Sequence, residues 1–324
     1  MIKSRFAEVF GGEGRVALPE APEVCFIKAL AAGDEEAVIQ LFDEEKQFGG
    51  TSAVDTPHGR YEGLEGIREC VRTWYGFFKT EKGTATGGDV EVVTQTRGGC
   101  RSALEFVFHF YFEDGSEMAV PMALAADLRD GLNRLDEVRT YMNVKWFPDY
   151  PQYRKPIFKE KETHELRTEM TSGVMPYYFD LVHNKGMDNI PDLMTRTGQV
   201  VHGGYEPGEI RVLDAEEMQK EAAERRKQKN FYTGFPLKEF VGLQMETIID
   251  DGRICCVEWE QVITKKGREE RHRLSEPGIS FYERAEDGYL KSYRIIDYAY
   301  TEGNIDWEKA PISKEEAEKI NYLG

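Results

Sequence analysis

The chain has 324 residues, enough for about two domains, and its 42 Lys and Arg against 59 Asp and Glu give a net charge of −17. So acidic a chain is unsuited to nucleic-acid backbones and to anionic membranes, which attract basic surfaces. Hydrophobic residues make up 40% of the chain and aromatic residues 12%, a composition typical of a folded globular protein and not of a disordered one.

No secretory apolar segment is visible near the first residue, and no window approaches the roughly 18 apolar residues that a membrane span needs. The cysteines follow no C-x-x-C spacing, and we expect them to be buried, reduced thiols. They are Cys25, Cys70, Cys100, Cys255 and Cys256. These features predict a cytoplasmic protein that binds neither nucleic acid nor membrane.

The first half of the chain begins with helical patterns and continues with strands. Apolar residues recur at helical spacing over Ala21–Glu45, where Gly33-Asp34 predicts a break and a restart, and a second helix is predicted after Tyr61-Glu62-Gly63. Strands are then predicted at Asp89–Thr96, Cys100–Phe112, Glu117–Leu128 and Leu135–Trp146. Helices followed by an antiparallel meander indicate an α+β fold.

The second half shows the same order of patterns. An apolar helix over Val174–Val182 precedes a short strand at Gln199–His202, and a charged helix over Asp214–Asn230 is best explained by exposure to solvent. Strands are then predicted at Val241–Ile249, Ile254–Thr264, Glu269–Arg284 and Tyr289–Tyr300.

Landmark residues of the two halves recur at nearly constant offsets of 152 to 157 residues, which indicates a duplicated domain. The pairs are Gly115 and Gly267, Pro121 and Pro277, Gly131 and Gly288, and Arg139 and Arg294. We therefore predict a first domain over residues 1–150, a polar linker over 151–171 and a second domain over 172–324.

Four motifs in this order resemble the nuclear transport factor 2-like superfamily, which includes ketosteroid-isomerase-like and SnoaL-like proteins. They are Phe26–Asp34 (FIKALAAGD), Tyr61–Arg68 (YEGLEGIR), Val120–Ala123 (VPMA) and Leu135–Asn143 (LDEVRTYMN). The resemblance covers residues 20–147 well and 172–302 more weakly. It implies two tandem cones, each a curved antiparallel sheet wrapped around N-terminal helices, with an apolar pocket for a small molecule and an intramolecular pseudo-dimer. Because many members are homodimers, further homo-oligomerisation is possible.

The resemblance also locates the positions that a ketosteroid isomerase uses. That enzyme needs a proton-carrying carboxylate, together with a tyrosine and a neutral aspartic acid that stabilise the dienolate oxygen. The tyrosine position falls on Phe26 and the neutral-acid position on Ala123, and their counterparts in the second half are Phe179 and Ile279. The resemblance therefore implies that this oxyanion hole is missing from both halves.

The carboxylate position falls within one residue of Asp55, and the end of the first strand in the second half carries His202. Asp55 is either a general base, with its pKa raised by an apolar wall of Phe26, Trp74 and Phe78, or an ordinary turn residue. His58 either shares the proton or binds the substrate oxygen, and the alternative is a solvent-facing loop histidine. His202 is either a base of a second site or a strand-end histidine near a glycine turn.

Several other residues remain open between a site and a structural role. Glu105 and His109 share the mixed face of one strand, which lines a pocket or, by slight preference, contacts the other half. Glu258 and Glu260 share a strand face that is expected to meet solvent. The alternative is that the two carboxylates take part in acid/base catalysis. Trp259 is expected in the core or the interface, and a structural salt bridge is expected at each of the recurring Arg139 and Arg294.

The candidate catalytic residues are therefore Asp55, His58, His109 and His202, and the candidate substrate-binding residues are Phe26, Trp74, Tyr141 and Tyr205. For Tyr141 the alternative is a core residue. The six histidines lack metal-ligand spacing, and neither a G-x-G-x-x-G motif nor a Walker A loop occurs, so we expect no metal and no cofactor. The sequence favours a cofactor-independent acid/base enzyme, an isomerase, dehydratase or cyclase acting on a small hydrophobic or carbonyl-containing molecule. The alternative is a non-catalytic protein that binds a ligand or acts as a scaffold.

Overall fold

A computed structural model describes residues 21–129, 133–147, 194–202, 211–227, 238–265, 273–287 and 289–297. The predicted helix Val174–Val182 and the predicted linker 151–171 lie outside these residues. None of the helices described is long and apolar enough to cross a membrane.

The first helical region is interrupted where the sequence predicts it. Helix α1 spans Pro22–Ala32 and ends at Gly33, whose φ of 67° is a left-handed conformation that glycine adopts without a steric penalty. Helix α2 spans Glu35–Ile39, and the Asp34 carboxylate accepts a hydrogen bond of 3.0 Å from the Ala37 N–H at its start. The predicted break is confirmed.

A short hairpin and a third helix follow. Strand β1 spans Ala53–Thr56, β2 spans Gly59–Glu62, α3 spans Gly63–Thr73, a 3₁₀ turn spans Trp74–Phe77 and β3 spans Lys79–Thr80. The four long strands are β4 at Gly83–Gly98, β5 at Arg101–Phe112, β6 at Glu117–Leu128 and β7 at Leu135–Met142. The last predicted strand of this half ends early, because a 3₁₀ turn at Val144–Trp146 takes its final residues.

These seven strands form one strongly curled sheet in the order β2-β1-β7-β6-β5-β4-β3. The prediction of a purely antiparallel sheet is wrong in one respect, because β1 runs parallel to β7 and the sheet is mixed. One face of the sheet packs against α1 and α3, and we call it the inner face of the first sheet. Its core is apolar and includes Phe26, Trp74, Phe106, Leu124 and Val138.

The second half forms a six-stranded mixed sheet. Its elements are β8 at Met194–His202, β9 at Arg211–Asp214, helix α4 at Ala215–Lys227, β10 at Lys238–Asp250, β11 at Ile254–Lys265, β12 at Arg273–Arg284 and β13 at Leu290–Asp297. The strand order is β10-β11-β12-β13-β8-β9, and β8 runs parallel to β13. Apart from β3, the two sheets therefore share one strand order and one position for the parallel pair.

The charged helix α4 begins with a reciprocal cap. Asp214 accepts a hydrogen bond of 2.8 Å from the Glu217 N–H, and Glu217 accepts one of 3.0 Å from the Asp214 N–H. Met218 is buried against the second sheet, whereas Glu216, Glu217 and Lys220 are exposed. The prediction of a largely solvated helix is confirmed for the side chains described.

Candidate functional site

Each sheet has an outer face that meets the other sheet, and its apolar part is a single buried cluster. The first sheet contributes Ala103, Ala123, Ala125 and Tyr141, and the second contributes Ile249, Ile254, Cys256, Ile279, Phe281 and Ile296. Ala123 and Ile279 therefore lie between the sheets and not on an inner face. The alignment that placed the neutral aspartic acid of a ketosteroid isomerase at these two positions is therefore displaced by at least one residue. The neighbouring residues that lie on the inner faces are Leu124 and Ser280.

An ion pair crosses this contact from the first sheet. Arg139 donates to both carboxylate oxygens of Glu258, at 2.7 Å and 2.8 Å, and to Asp127 on the neighbouring strand at 2.8 Å. Burial disfavours the charge of Arg139, but the carboxylates of Asp127, Glu258 and Glu137 outweigh this effect and raise its pKa. The expectation that Glu258 meets solvent is wrong, because it is fully buried. The side chain of Glu260 lies outside the described residues.

A matching ion pair crosses from the second sheet. Arg294 donates to both oxygens of Glu105, at 2.6 Å each, and to Glu283 on the neighbouring strand at 2.8 Å. Glu105 also accepts from Thr94. The structural salt bridges expected at Arg139 and Arg294 are confirmed, and so is the contact expected for Glu105.

Strand register makes these two ion pairs equivalent. Glu105 lies opposite Ala123 and Thr94, and Glu258 lies opposite Ile279 and Thr247. In both sheets a register irregularity immediately precedes the threonine. The two halves thus face each other with an approximate twofold relation, in which each arginine pairs with the other half's glutamate.

Two candidate site residues take part in this outer-face network. Tyr141 is fully buried and donates a hydrogen bond of 2.6 Å to Glu258. Asp55 is buried and forms an ion pair with Arg60, which also donates a hydrogen bond of 3.0 Å to Glu137. Because Asp55 lies opposite Arg139 in register, it does not share the inner face with Phe26, Trp74 and Phe78 as expected. Its catalytic role stays a prediction.

His58 lies instead among aromatic rings of the first half. Its ring stacks on Phe77 at a centroid distance of 3.8 Å and lies 5.5 Å from Trp74 and 5.9 Å from Tyr61. The alternative of a solvent-facing loop residue is therefore wrong, because His58 is half-buried in this aromatic cluster. Phe26 and Trp74 are fully buried core residues. Their predicted role in binding substrate stays a prediction.

His109 is buried on the outer face and contacts Glu117, with 2.6 Å between Nδ1 and Oε1. His202 is the last residue of β8 and lies opposite Ile295 in register, and its side chain is outside the described residues. Val201, not His202, lies opposite Arg294 and so corresponds to Asp55. Tyr205 is outside the described residues. The structure thus brings His58 and Trp74 together and leaves Asp55, His109 and Tyr141 on the opposite face.

The inner face of the second sheet is the face turned away from the first sheet. It carries a polar cluster that sequence reasoning missed. The Trp259 Nε1–H donates a hydrogen bond of 2.9 Å to Ser280 Oγ, which lies 3.3 Å from the hydroxyl oxygen of Tyr293. The rings of Tyr282 and Tyr293 stack at 4.7 Å, and burial raises the pKa of Tyr282 well above its ordinary value. All four residues are buried. We call Trp259, Ser280, Tyr282 and Tyr293 the hydroxyl cluster.

The first sheet is apolar at every corresponding position. Register matches Trp259, Ser280, Tyr282 and Tyr293 to Phe106, Leu124, Ala126 and Val138, all of which lie in the first core. A shared topology therefore does not require these polar groups. The signal available in the sequence was the alternation Ser280–Tyr282 along a predicted strand, which places both residues on one face.

Other chemistry has less support among the residues described. No group of three or more His, Cys, Asp or Glu in that part of the chain is arranged to hold a metal ion. Burial raises the pKa of the Cys70, Cys255 and Cys256 thiols, which disfavours the reactive thiolate. Cys100 is exposed, so the expectation of burial is wrong for that residue.

Comparisons with known proteins yield similarity in structure alone. No family model matches the chain. No curated protein matches it in sequence.

Three solved structures resemble part of the chain. A hypothetical protein with a ketosteroid isomerase-like fold from Catenulispora acidiphila, in complex with trimethylamine, covers 40% of this chain and 89% of its own, at 17% identity and a TM-score of 0.32. Putative SnoaL-like polyketide cyclases from Shewanella denitrificans and Shewanella putrefaciens cover 37% and 39% of this chain and 85% and 90% of their own. Their identities are 14% and 15%, with TM-scores of 0.29 and 0.30. Over about 40% of its length the chain is thus similar in structure to ketosteroid-isomerase-like and SnoaL-like proteins.

Proposed function

We propose that the chain is a cofactor-independent acid/base enzyme whose active half is the second one. Its substrate is a small, largely hydrophobic molecule with a carbonyl group, and the reaction is an isomerisation, dehydration or cyclisation. The hydroxyl cluster is the observation that carries this proposal. Buried polar groups cost free energy, and the matched positions of the first sheet do without them.

The proposed chemistry is proton transfer beside a carbonyl. His202 takes the proton from the carbon next to the carbonyl, the C–H electron pair forms a C=C bond, and the π pair of the C=O bond moves onto the carbonyl oxygen. The imidazolium of His202 then returns the proton to carbon as the carbonyl re-forms. Hydroxyl donors of Ser280 and Tyr293 stabilise the oxygen as its negative charge develops. The register of β8 and β13 supports this pairing, since Val200 lies opposite Tyr293 and His202 opposite Ile295, which belongs to the same inner core.

The architecture of the proposal is a tandem of two cones joined as an intramolecular pseudo-dimer, with domains at 1–150 and 172–324. The shared strand order and the equivalent ion pairs support it. The first half, with Asp55 bound to Arg60 and its inner face filled by aromatic rings, has a supporting role. The acidic charge supports the absence of nucleic-acid and membrane partners, and the reduced cysteines expected from the sequence support a cytoplasmic location, which is part of the same proposal.

The alternative is a non-catalytic ligand-binding or scaffolding protein. One observation favours it: Trp259, Ser280 and Tyr293 already satisfy one another by hydrogen bonds. Such a cluster can specify a unique core without meeting a ligand.

The two functions are separated with 2-tetralone, a small hydrophobic ketone, in D₂O. We expect the full-length protein to accelerate deuterium exchange at the carbons beside the carbonyl, measured by NMR. His202→Gln should lower this rate by about 10²–10⁴-fold, and Tyr293→Phe by about 10²–10³-fold. Tyr289→Phe, at a side chain 52% exposed, is the matched control and should leave the rate unchanged.

Each other outcome has a definite meaning. Binding of 2-tetralone without faster exchange would establish the non-catalytic alternative for this ketone. Exchange that is lost in His58→Gln but kept in His202→Gln would move the activity to the first half. Neither binding nor exchange with 2-tetralone and related cyclic ketones would contradict the proposal.

A further inference from the structure

The contact between the two outer faces contains small side chains on one side and large ones on the other. The first sheet presents Ala103, Ala123 and Ala125 around Tyr141. The second sheet presents mainly branched or aromatic side chains, among them Ile279, Phe281 and Ile296. All members of this cluster are buried, so the two sets fill one space.

Strand register shows that this difference in size falls on equivalent positions. Ala125 lies opposite Arg139, and Phe281 lies opposite Arg294. By the same registers Ala123 corresponds to Ile279, and Ala103 corresponds to Cys256. Three alanines of one face thus correspond to three larger residues of the other.

Charge does not decide which faces pair. Each half carries one arginine and one glutamate of the ion pairs, so two first sheets or two second sheets would also match in charge. The size of the apolar side chains decides which faces pair. Two alanine faces would leave voids, and two Ile and Phe faces would overlap, and both conditions destabilise a packed core.

We infer that the outer faces are heterotypic: each recognises the other face and rejects a second copy of itself. Ala123 and Ala125, with Ile279 and Phe281, are the specificity residues of this recognition. The ion pairs orient the faces and are common to both. This inference does not depend on the ligand of either half.

An exchange of side-chain size tests the inference in the full-length chain. Ala125→Phe and Phe281→Ala are made singly and together, and the denaturant midpoint of unfolding is measured. We expect each single change to lower the midpoint and the double change to recover at least half of the summed loss. Ala123→Ile with Ile279→Ala, at the neighbouring positions, repeats the test if a single variant fails to fold.

The matched control places the large-to-small change on the other face of the same strand. Ala125→Phe combined with Tyr282→Ala should show no recovery, because Tyr282 lies on the inner face of β12. Recovery in this control equal to that with Phe281→Ala, or no recovery in either of the two size-exchange pairs, would overturn the inference.

Pairing between molecules is a second measurement. Full-length chains labelled with ¹⁴N and ¹⁵N are unfolded together, refolded and cross-linked, and the peptide pairs are sorted by isotope. We expect no mixed-isotope pair that joins two first sheets or two second sheets. Such pairs at the frequency of the pairs that join unlike sheets would contradict heterotypic recognition.

Discussion

The two halves of this chain share the charged network of their outer faces and differ in the chemistry of their inner faces. Outside, each has a buried arginine, a glutamate that accepts from the other half's arginine, and a threonine opposite that glutamate. Inside, the first half is apolar and the second carries the hydroxyl cluster. The comparison indicates that the contact between halves preserves the ion pairs of the outer faces, while each inner face is free to acquire its own chemistry.

The largest expected effect comes from removing a shared outer-face residue. Arg294→Met leaves Glu105 buried without its cation, and loss of one partner of a buried pair costs about 3–5 kcal/mol. Arg139→Met should cost a similar amount through Glu258. Equilibrium unfolding in urea measures both free energies.

The control for both arginines is an ion pair at the surface. Arg101, 44% exposed, lies 3.0 Å from Asp127, and Arg101→Met should cost less than about 1 kcal/mol. Losses at Arg139 and Arg294 as small as the loss at Arg101 would break the comparison between the two halves.

A smaller effect is expected where the outer faces are not equivalent. Tyr141 donates to Glu258, whereas Ile296 holds the corresponding position and cannot donate. Tyr141→Phe should lower the free energy of unfolding by about 1.5–3 kcal/mol, the range for hydrogen bonds to charged groups. Since we assign Tyr141 no ligand, 2-tetralone binding should not change. A selective loss of binding with unchanged stability would return Tyr141 to the substrate site.

The inner faces differ in a pair of compensating sizes. Trp259 lies opposite Gly278, and the matching pair in the first sheet is Phe106 and Met122. A Cβ at Gly278 would lie 2.2 Å from the Trp259 ring, so Gly278→Ala should cost about 1–3 kcal/mol by overpacking.

Thermal and urea unfolding of Gly278→Ala test this effect. Gly87→Ala, in β4, is the control, because no atom lies within 4 Å of its added Cβ. Equal stability of the two variants would show that Trp259 does not occupy the space above Gly278.

Much of the fold could be predicted from the sequence, because local signals determine it. The break at Gly33-Asp34, the start of α4 at Asp214 and the start of β6 after Asp114-Gly115 follow from capping and turn chemistry. The parallel pairing of β1 with β7 could not be predicted, since it joins strands about 80 residues apart and leaves no local pattern.

The site was predicted less well, because burial of polar residues is set by what packs on each face. Alternation puts Glu258 on one side of a strand but does not say that a second sheet covers that side. Asp55 was expected in an apolar pocket, although Arg60 lies directly across the β1–β2 hairpin. The five-residue separation across a short turn was a signal for this ion pair.

The last prediction concerns the dependence of folding stability on pH, which we expect to be small near neutral pH. Burial would raise the pKa values of Asp127, Glu137 and Glu283, but the neighbouring arginines outweigh it and hold all three below their ordinary range. Their contribution to stability is therefore complete above the unfolded pKa of about 4 and is lost as the pH falls through the folded values. Urea midpoints from pH 7 to pH 3 should stay level and then fall below about pH 4. A midpoint that rises over that acidic range would contradict the assigned ion pairs.

The central claim, that equivalent ion pairs hold the two halves face to face, is tested most directly by a double-mutant cycle. Arg139→Met and Glu258→Gln are made singly and together, and Glu23→Gln, at a buried carboxylate paired with Arg97 within the first half, replaces Glu258→Gln in the control cycle. The account predicts a coupling free energy of at least about 1.5 kcal/mol between Arg139 and Glu258. It predicts less than about 0.5 kcal/mol between Arg139 and Glu23. Equal and negligible coupling in both cycles would contradict it.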